Sequence, residues 1–97
     1  MLNKSQIKFL KSLSNTIDNK YQIGKNEIND TQLEMLSHAL DKYELIKISV
    51  NQSVTEQKKV FASQLVEYLH AELIQIVGNV ITIYRKNLKE PKIRLPR

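Results

Sequence analysis

Leu73-Ile74-Gln75-Ile76-Val77-Gly78-Asn79-Val80-Ile81-Thr82-Ile83-Tyr84 carries two short apolar runs about a glycine–asparagine pair, and the architecture turns on it. Leu73 to Val77 and Val80 to Tyr84 are runs rich in β-branched residues. Gly78-Asn79 between them is a two-residue connection that suits a hairpin with positive backbone φ. The two strands are therefore antiparallel neighbours. Gln75 and Thr82 interrupt the apolar runs at alternating positions, so one face of the pair is partly polar.

Upstream of the hairpin, Ser53 and Glu56 have the spacing of a capping box and open a helix to about His70, with Val60, Phe61, Leu65 and Leu69 inward. Before it, Leu45 to Val50 alternates as a half-buried strand, Ile46, Ile48 and Val50 on one face and Lys47 and Ser49 on the other. Asn29 with Gln32 repeats the capping spacing ahead of a helix from about Asp30 to Tyr43. Its buried stripe is Leu33, Leu36, Leu40 and Tyr43, with Met35 and Ala39 at the margin. Asn3 with Gln6 does the same for a first helix from about Lys4 to Asn15, with Ile7, Leu10, Leu13 and Ile17 inward. Tyr21, Gln22 and Ile23 form a short strand ending at Gly24. Downstream, Lys86 to Glu90 is a charged loop, and Pro91 and Pro96 bracket an extended tail, Lys92 to Leu95.

The order is α-β-α-β-α-β-β. The two crossovers, about twenty residues each, imply parallel pairing and right-handed connections, so the sheet is mixed. The expected fold is α/β: a two-layer sandwich, a four-stranded mixed sheet with helices packed against it, in a single domain spanning residues 1–97. Apolar residues at 41% and charged residues at 26% suit a globular chain rather than a fibrous or disordered one. The absence of cysteine excludes disulfide scaffolds, thiolate metal sites and thiol nucleophiles. No apolar run reaches the roughly 18–20 residues of a membrane span. The start MLNKSQIKFLKSL is amphipathic and lacks the apolar run of a signal peptide, so the expected compartment is the cytoplasm.

The net charge of +5 is unevenly placed. Residues 1–25 carry five lysines against Asp18, and residues 82–97 carry six basic residues against Glu90. Residues 26–81 have four lysines against eight acids. If the two termini meet, they form one basic patch, which attracts polyanions with an affinity that falls with salt. Lys4, Lys8 and Lys11 recur at helical spacing and form a basic ridge on the first helix. The turn Gly24-Lys25-Asn26 is the second candidate. Glycine lets backbone approach a ligand, Lys25 supplies a point charge, and the following helix N-terminus offers free N–H groups to phosphate.

Catalytic chemistry is poorly represented. His38 and His70 lie near the ends of different helices without the i,i+4 partner of a helical metal pair, so no metal or other cofactor is expected. Ser37 beside His38 is no hydrolase signal, because adjacent helical residues point apart. Asp30, Glu34, Asp41 and Glu44 are expected along the solvent face of the second helix. Tyr43, Tyr68 and Tyr84 read as core or rim packing, with Tyr84 singled out only because it adjoins Arg85.

In several ordered segments the chain resembles the CRM domain family (chloroplast RNA splicing and ribosome maturation), in its small single-domain bacterial, YhbY-type form. These are Leu2, Asn3 and Gln6 with Phe9-Leu10-Lys11; Gln22-Ile23-Gly24-Lys25-Asn26; His38-Ala39-Leu40 with Glu44-Leu45-Ile46-Lys47; Ala71-Glu72-Leu73 to Val77-Gly78; Tyr84-Arg85; and Pro91-Lys92-Ile93 to Leu95-Pro96. The resemblance implies a non-catalytic RNA-binding protein associated with ribosomal RNA or large-subunit precursors and aiding ribosome assembly. It also implies a fold similar to the C-terminal domain of a bacterial translation initiation factor. The family's loop is GxxG, like the KH-domain clamp; here Glu27 stands at the second glycine position, and Ser5 and Ile7 stand where basic residues are common.

The expected RNA-binding surface comprises Gly24, Lys25, Asn26, Lys4, Lys8, Lys11, Arg85 and Lys86, reading shape and phosphates more than sequence. The expected protein is a monomer with RNA as partner, and with no membrane, cofactor or small-molecule substrate. The competing reading is a protein-interaction adaptor docking through the acidic second helix and the polar sheet face. Duplex DNA binding lacks a helix-turn-helix, and a ribonuclease would need acids and bases placed near the basic loop.

Overall fold

The computed structural model describes residues 2–17, 20–23, 29–50 and 55–96, with backbone alone at 55–57. Its elements are α1 (Lys4–Ser14), β1 (Lys20–Ile23), α2 (Asp30–Tyr43), β2 (Leu45–Val50), α3 (Thr55–Leu69), β3 (Glu72–Val77) and β4 (Val80–Tyr84). The α/β class, the four-stranded mixed sheet and the element order are as the sequence pattern predicts; helices pack on both sheet faces, so the layers number three rather than two. Both described capping boxes form: the Asn3 and Asn29 side chains each accept the amide of the glutamine three residues on, at 2.8 Å. The Ser53–Glu56 box lies outside the described residues.

The strand order is β1-β2-β4-β3, with β1 parallel to β2 and β4 antiparallel to both β2 and β3. The first crossover gives the parallel pair expected of it. The second does not: β2 and β3 run in the same direction, but β4 lies between them. Burial explains the choice. Ile81, Thr82, Ile83 and Tyr84 are all buried, so β4 needs cover on both faces and both edges, whereas β3 leaves Leu73 and Val77 exposed and takes the sheet edge. In the connecting turn Gly78 has φ +58 and Asn79 does not share that conformation. A positive φ at the first position alone is the II′ arrangement, whose twist matches the flanking strands.

Neighbouring strand residues feed different cores. Ile46, Ile48 and Val50 with Ile81 and Ile83 meet α2 and α3 through Leu36, Leu40, Phe61 and Leu65. Leu45, Ile74 and Tyr84 instead meet Leu10, flanked by Leu13, Ile17, Ile93 and Leu95. Because successive strand residues point to opposite faces, α1 and the C-terminal tail cover the face that carries Thr82 and Gln75. An irregularity in the β3–β4 register between Leu73 and Gln75 inserts Ile74 as an extra residue, so that Ile74 and Gln75 both serve this second face. Gln75 Nε2 donates to the buried Ser14 hydroxyl at 3.2 Å, which answers its polar group.

Four expected placements change, the first being Tyr68, read as core or rim packing and here 66% exposed. Val60 is 58% exposed; the buried stripe of α3 is Phe61, Ala62, Leu65 and Leu69, and Val60 is turned from it by about one residue's rotation of 100°. Ala39 is buried in the core rather than marginal. Glu44 is fully buried, not on the solvent face of α2. It is the residue after the last turn, with φ +64, which swings its carboxylate away from the helical ridge; its amide still bonds Leu40 O at 2.8 Å. The carboxylate accepts the backbone amides of Asn87 and Ile93, each at 2.6 Å, and that of Lys92.

Glu44→Ala leaves three buried or half-buried amides without an acceptor for a charged hydrogen bond. It is expected to cost about 2–4 kcal/mol in urea unfolding and to expose the tail to protease before the rest of the fold.

Candidate nucleic-acid interface

Lys4, Lys8 and Lys11 are all exposed along α1, within about 10 Å of helix axis. Leu10 and Ser14 on the opposite side of the helix are buried, so packing of the apolar stripe turns the ridge outward. The helix is tied to the chain's other end. Gln6 Nε2 donates to Pro96 O at 3.0 Å, and the Leu2 amide donates to Glu72 Oε1 at 3.3 Å. In the tail, Ile93 and Leu95 pack into the α1 core while Arg94 between them is exposed, as are Lys86, Lys89 and Lys92. The two basic termini thus meet on one side of the sheet, which separation in sequence could not establish.

The expected site residues are only partly gathered. Lys86 lies at the N-terminal end of α1: it lines a pocket of about 280 Å³ together with Leu2, Gln6, Glu72, Tyr84 and Leu95. The ridge runs from there toward the middle of the sheet, where Ser14 meets Gln75. Gly24, Lys25 and Asn26 lie outside the described residues, as does Glu27. The register nevertheless fixes where β1 delivers the chain to them. Ile23 is opposite Val50 at one end of β2, whereas Tyr84 is opposite Leu45 at the other. Five strand steps of about 3.3 Å place these ends roughly 17 Å apart.

Arg85 has internal partners. Its guanidinium donates to Leu69 O at 2.9 Å, Ser37 O at 2.7 Å, Ser37 Oγ at 3.1 Å and Asp41 Oδ1 at 3.0 Å. It therefore joins the ends of α2 and α3 to β4, satisfying a terminal carbonyl of α3. Asn87 Nδ2 adds a bond to Asp41 O at 2.8 Å. These contacts span 16 to 48 residues, so no local pattern announces them. His70, with φ +53, ends α3: its own amide donates to Glu67 O at 3.4 Å and that of Ala71 to Val66 O at 2.9 Å, the paired bonds of a Schellman cap. Among the described residues no cluster of three potential ligands could hold a metal, and no helix is long and apolar enough to cross a membrane.

A family model, the CRS1/YhbY (CRM) domain, matches residues 2–85. The chain belongs to this family. Over 99% of its length this CRM domain is 35% identical to the whole of the "Probable RNA-binding protein YqeI" of Bacillus subtilis. It is 31% identical, over 99% of its length and 96% of the other, to an RNA-binding protein of Haemophilus influenzae. The solution structure of a candidate RNA-binding protein from Staphylococcus aureus superposes with a TM-score of 0.84 at 38% identity, covering 99% of this chain and all of the other.

Two measurements separate framework from surface in this CRM domain. Arg85→Ala, which strips four acceptors of a charged donor, is expected to lose about 2–3 kcal/mol of stability, whereas Lys8→Ala should stay within about 0.5 kcal/mol. Tyr84 supplies a pH signature. Burial first, then the charges of Glu44 and Glu72, push its phenol up to about 12. The folded state therefore holds this proton above the ordinary value near 10, and stability present below pH 10 is lost as pH rises toward 12. Thermal melts across that window should show a decline that Tyr84→Phe reduces, with no penalty at neutral pH because the hydroxyl has no partner among the described residues.

Proposed function

We propose that this CRM domain is a non-catalytic RNA-binding protein that engages ribosomal RNA in precursors of the large ribosomal subunit and aids their assembly. The observation that carries the RNA-binding reading is the joining of the exposed α1 ridge to the basic tail on one side of the sheet. Lysines on a rigid helix face present several cations at fixed spacing, and each phosphate they neutralise releases counterions. The relatives named as RNA-binding proteins support the same partner. The ribosomal substrate follows from what the family resemblance implies. Gly24, Lys25 and Asn26, outside the described residues, belong to the proposed surface on sequence and family resemblance alone, and Lys86 lies in it beside Gln6.

The adaptor alternative loses part of its footing. Of the four acids expected on the open face of α2, Glu44 is buried and Asp41 is paired with Arg85. What remains is Asp30 and Glu34, two carboxylates one turn apart, and the sheet face that carries Thr82 and Gln75 is covered by α1 and the tail.

Titration against a large-subunit ribosomal RNA fragment, an unrelated structured RNA of equal length and duplex DNA, each at several salt concentrations, tests the reading. Tighter binding to the ribosomal fragment and a steep fall with salt are expected. Reversing charge at Lys4, Lys8 and Lys11 together should weaken binding at least about tenfold at low salt and flatten the salt slope. Undiminished binding by that variant would place the interface elsewhere, and equal affinity for all three nucleic acids would remove the ribosomal assignment.

A further inference from the structure

The pocket beside the α1 ridge holds a group that a phosphate surface has no use for. Glu72 lines it, half-buried, with Oε1 taking the Leu2 amide and no other hydrogen bond to its carboxylate among the described residues. A carboxylate repels the phosphates that the neighbouring lysines attract, so its place next to them calls for a different ligand atom. Tyr84 also lines the pocket; its hydroxyl is buried and has no partner among the described residues, a rare and costly condition. Leu2 and Leu95 supply apolar walls; His70, Arg85 and Lys86 line it as well, Arg85 with its guanidinium already committed to Leu69, Ser37 and Asp41. The volume, about 280 Å³, is near the lower bound of about 300 Å³ for small-ligand sites and suits one planar ring system.

We propose that this pocket receives a single unstacked base of the bound RNA and that Glu72 reads its donor edge. The inference rests on the RNA-binding reading above and adds a base preference to it. A carboxylate accepts only, so it selects bases whose exposed edge donates. Guanine offers two adjacent donors, N1–H and the N2 amino group, to one carboxylate. Adenine and cytosine each pair their amino group with an acceptor, and uracil sets one N–H between two carbonyls. Guanine is therefore the base this pocket favours. Lys86 holds the phosphate that follows, and the α1 ridge carries the strand onward.

The test uses the intact protein and labelled unstructured eight-nucleotide RNAs: all uridine, or with one central guanosine, adenosine or cytidine. The single guanosine should tighten binding by at least about fivefold over the other three strands, the size of one bidentate base contact. Glu72→Gln, which retains an acceptor for Leu2, should bring that preference within about twofold and leave the salt slope unchanged. A melt of the variant and its amide spectrum establish that it folds. Guanosine monophosphate titrated alone should perturb the resonances of Leu2, Tyr84 and Leu95, more weakly than the strand because it lacks the phosphates that α1 engages.

Salt-dependent binding with no preference among the four strands would overturn the base pocket and leave the phosphate surface standing. Perturbation by the mononucleotide with no binding of any strand would overturn the RNA-binding reading and, with it, the assignment of the pocket's occupant to RNA. A guanosine preference that survives Glu72→Gln would remove Glu72 from its role.

Discussion

The buried carboxylate of Glu44 is the constraint on which the arrangement depends. A charged group deprived of water must find donors, and here the donors are the backbone amides of Asn87, Lys92 and Ile93, more than forty residues away in sequence. Its main-chain carbonyl accepts the Arg85 amide at 2.9 Å as well. One residue thus ends α2, begins the approach to β2 and fixes the path of everything after β4. The left-handed backbone at Glu44, costly for a residue with a side chain, is sustained because five hydrogen bonds, counting its own amide to Leu40, over-determine it.

From that anchor the surface follows. With the tail held against the sheet, Ile93 and Leu95 complete the core beneath α1, and the amphipathic helix has somewhere to bury Leu10. Its other side, bearing Lys4, Lys8 and Lys11, then has only one direction to face. Arg85 performs a parallel task on the opposite layer, tying α2 at Ser37 and Asp41 to the end of α3, whose terminal Leu69 carbonyl has no intrahelical donor. Cations adjacent in sequence, Arg85 and Lys86, both line the pocket yet do unlike work: the guanidinium of Arg85 is held by internal acceptors, while Lys86 is exposed.

Features governed by a few neighbouring residues were legible in the chain. The Asn3–Gln6 and Asn29–Gln32 caps, the alternation of Leu45 to Val50 and the Gly78 turn each need only local geometry, and each is found where the pattern places it. Long-range closure was not legible. A crossover of twenty residues sets strand direction but not adjacency, so the insertion of β4 between β2 and β3 depended on which strand could be covered on both faces. Glu44 read as one more acid on a helical ridge because its partners lie beyond the hairpin. The basic ridge of α1 was readable from its period, while its union with the tail, and the Glu72 pocket formed at that junction, required the ends to be brought together.

That the last residues of the chain complete the cover of the first helix has a consequence for synthesis. While a ribosome is still adding residues after Tyr84, α2, α3 and the sheet can already consolidate one core, but α1, though it can meet Leu45, Ile74 and Tyr84, lacks Ile93 and Leu95 and its apolar stripe stays partly open. Within these residues the order of consolidation departs from the order of synthesis: α1 precedes the sheet in the chain, yet its cover is complete only when Ile93 and Leu95 join it. A chain broken off before Ile93 would leave part of that stripe uncovered, an apolar surface that the intact fold conceals.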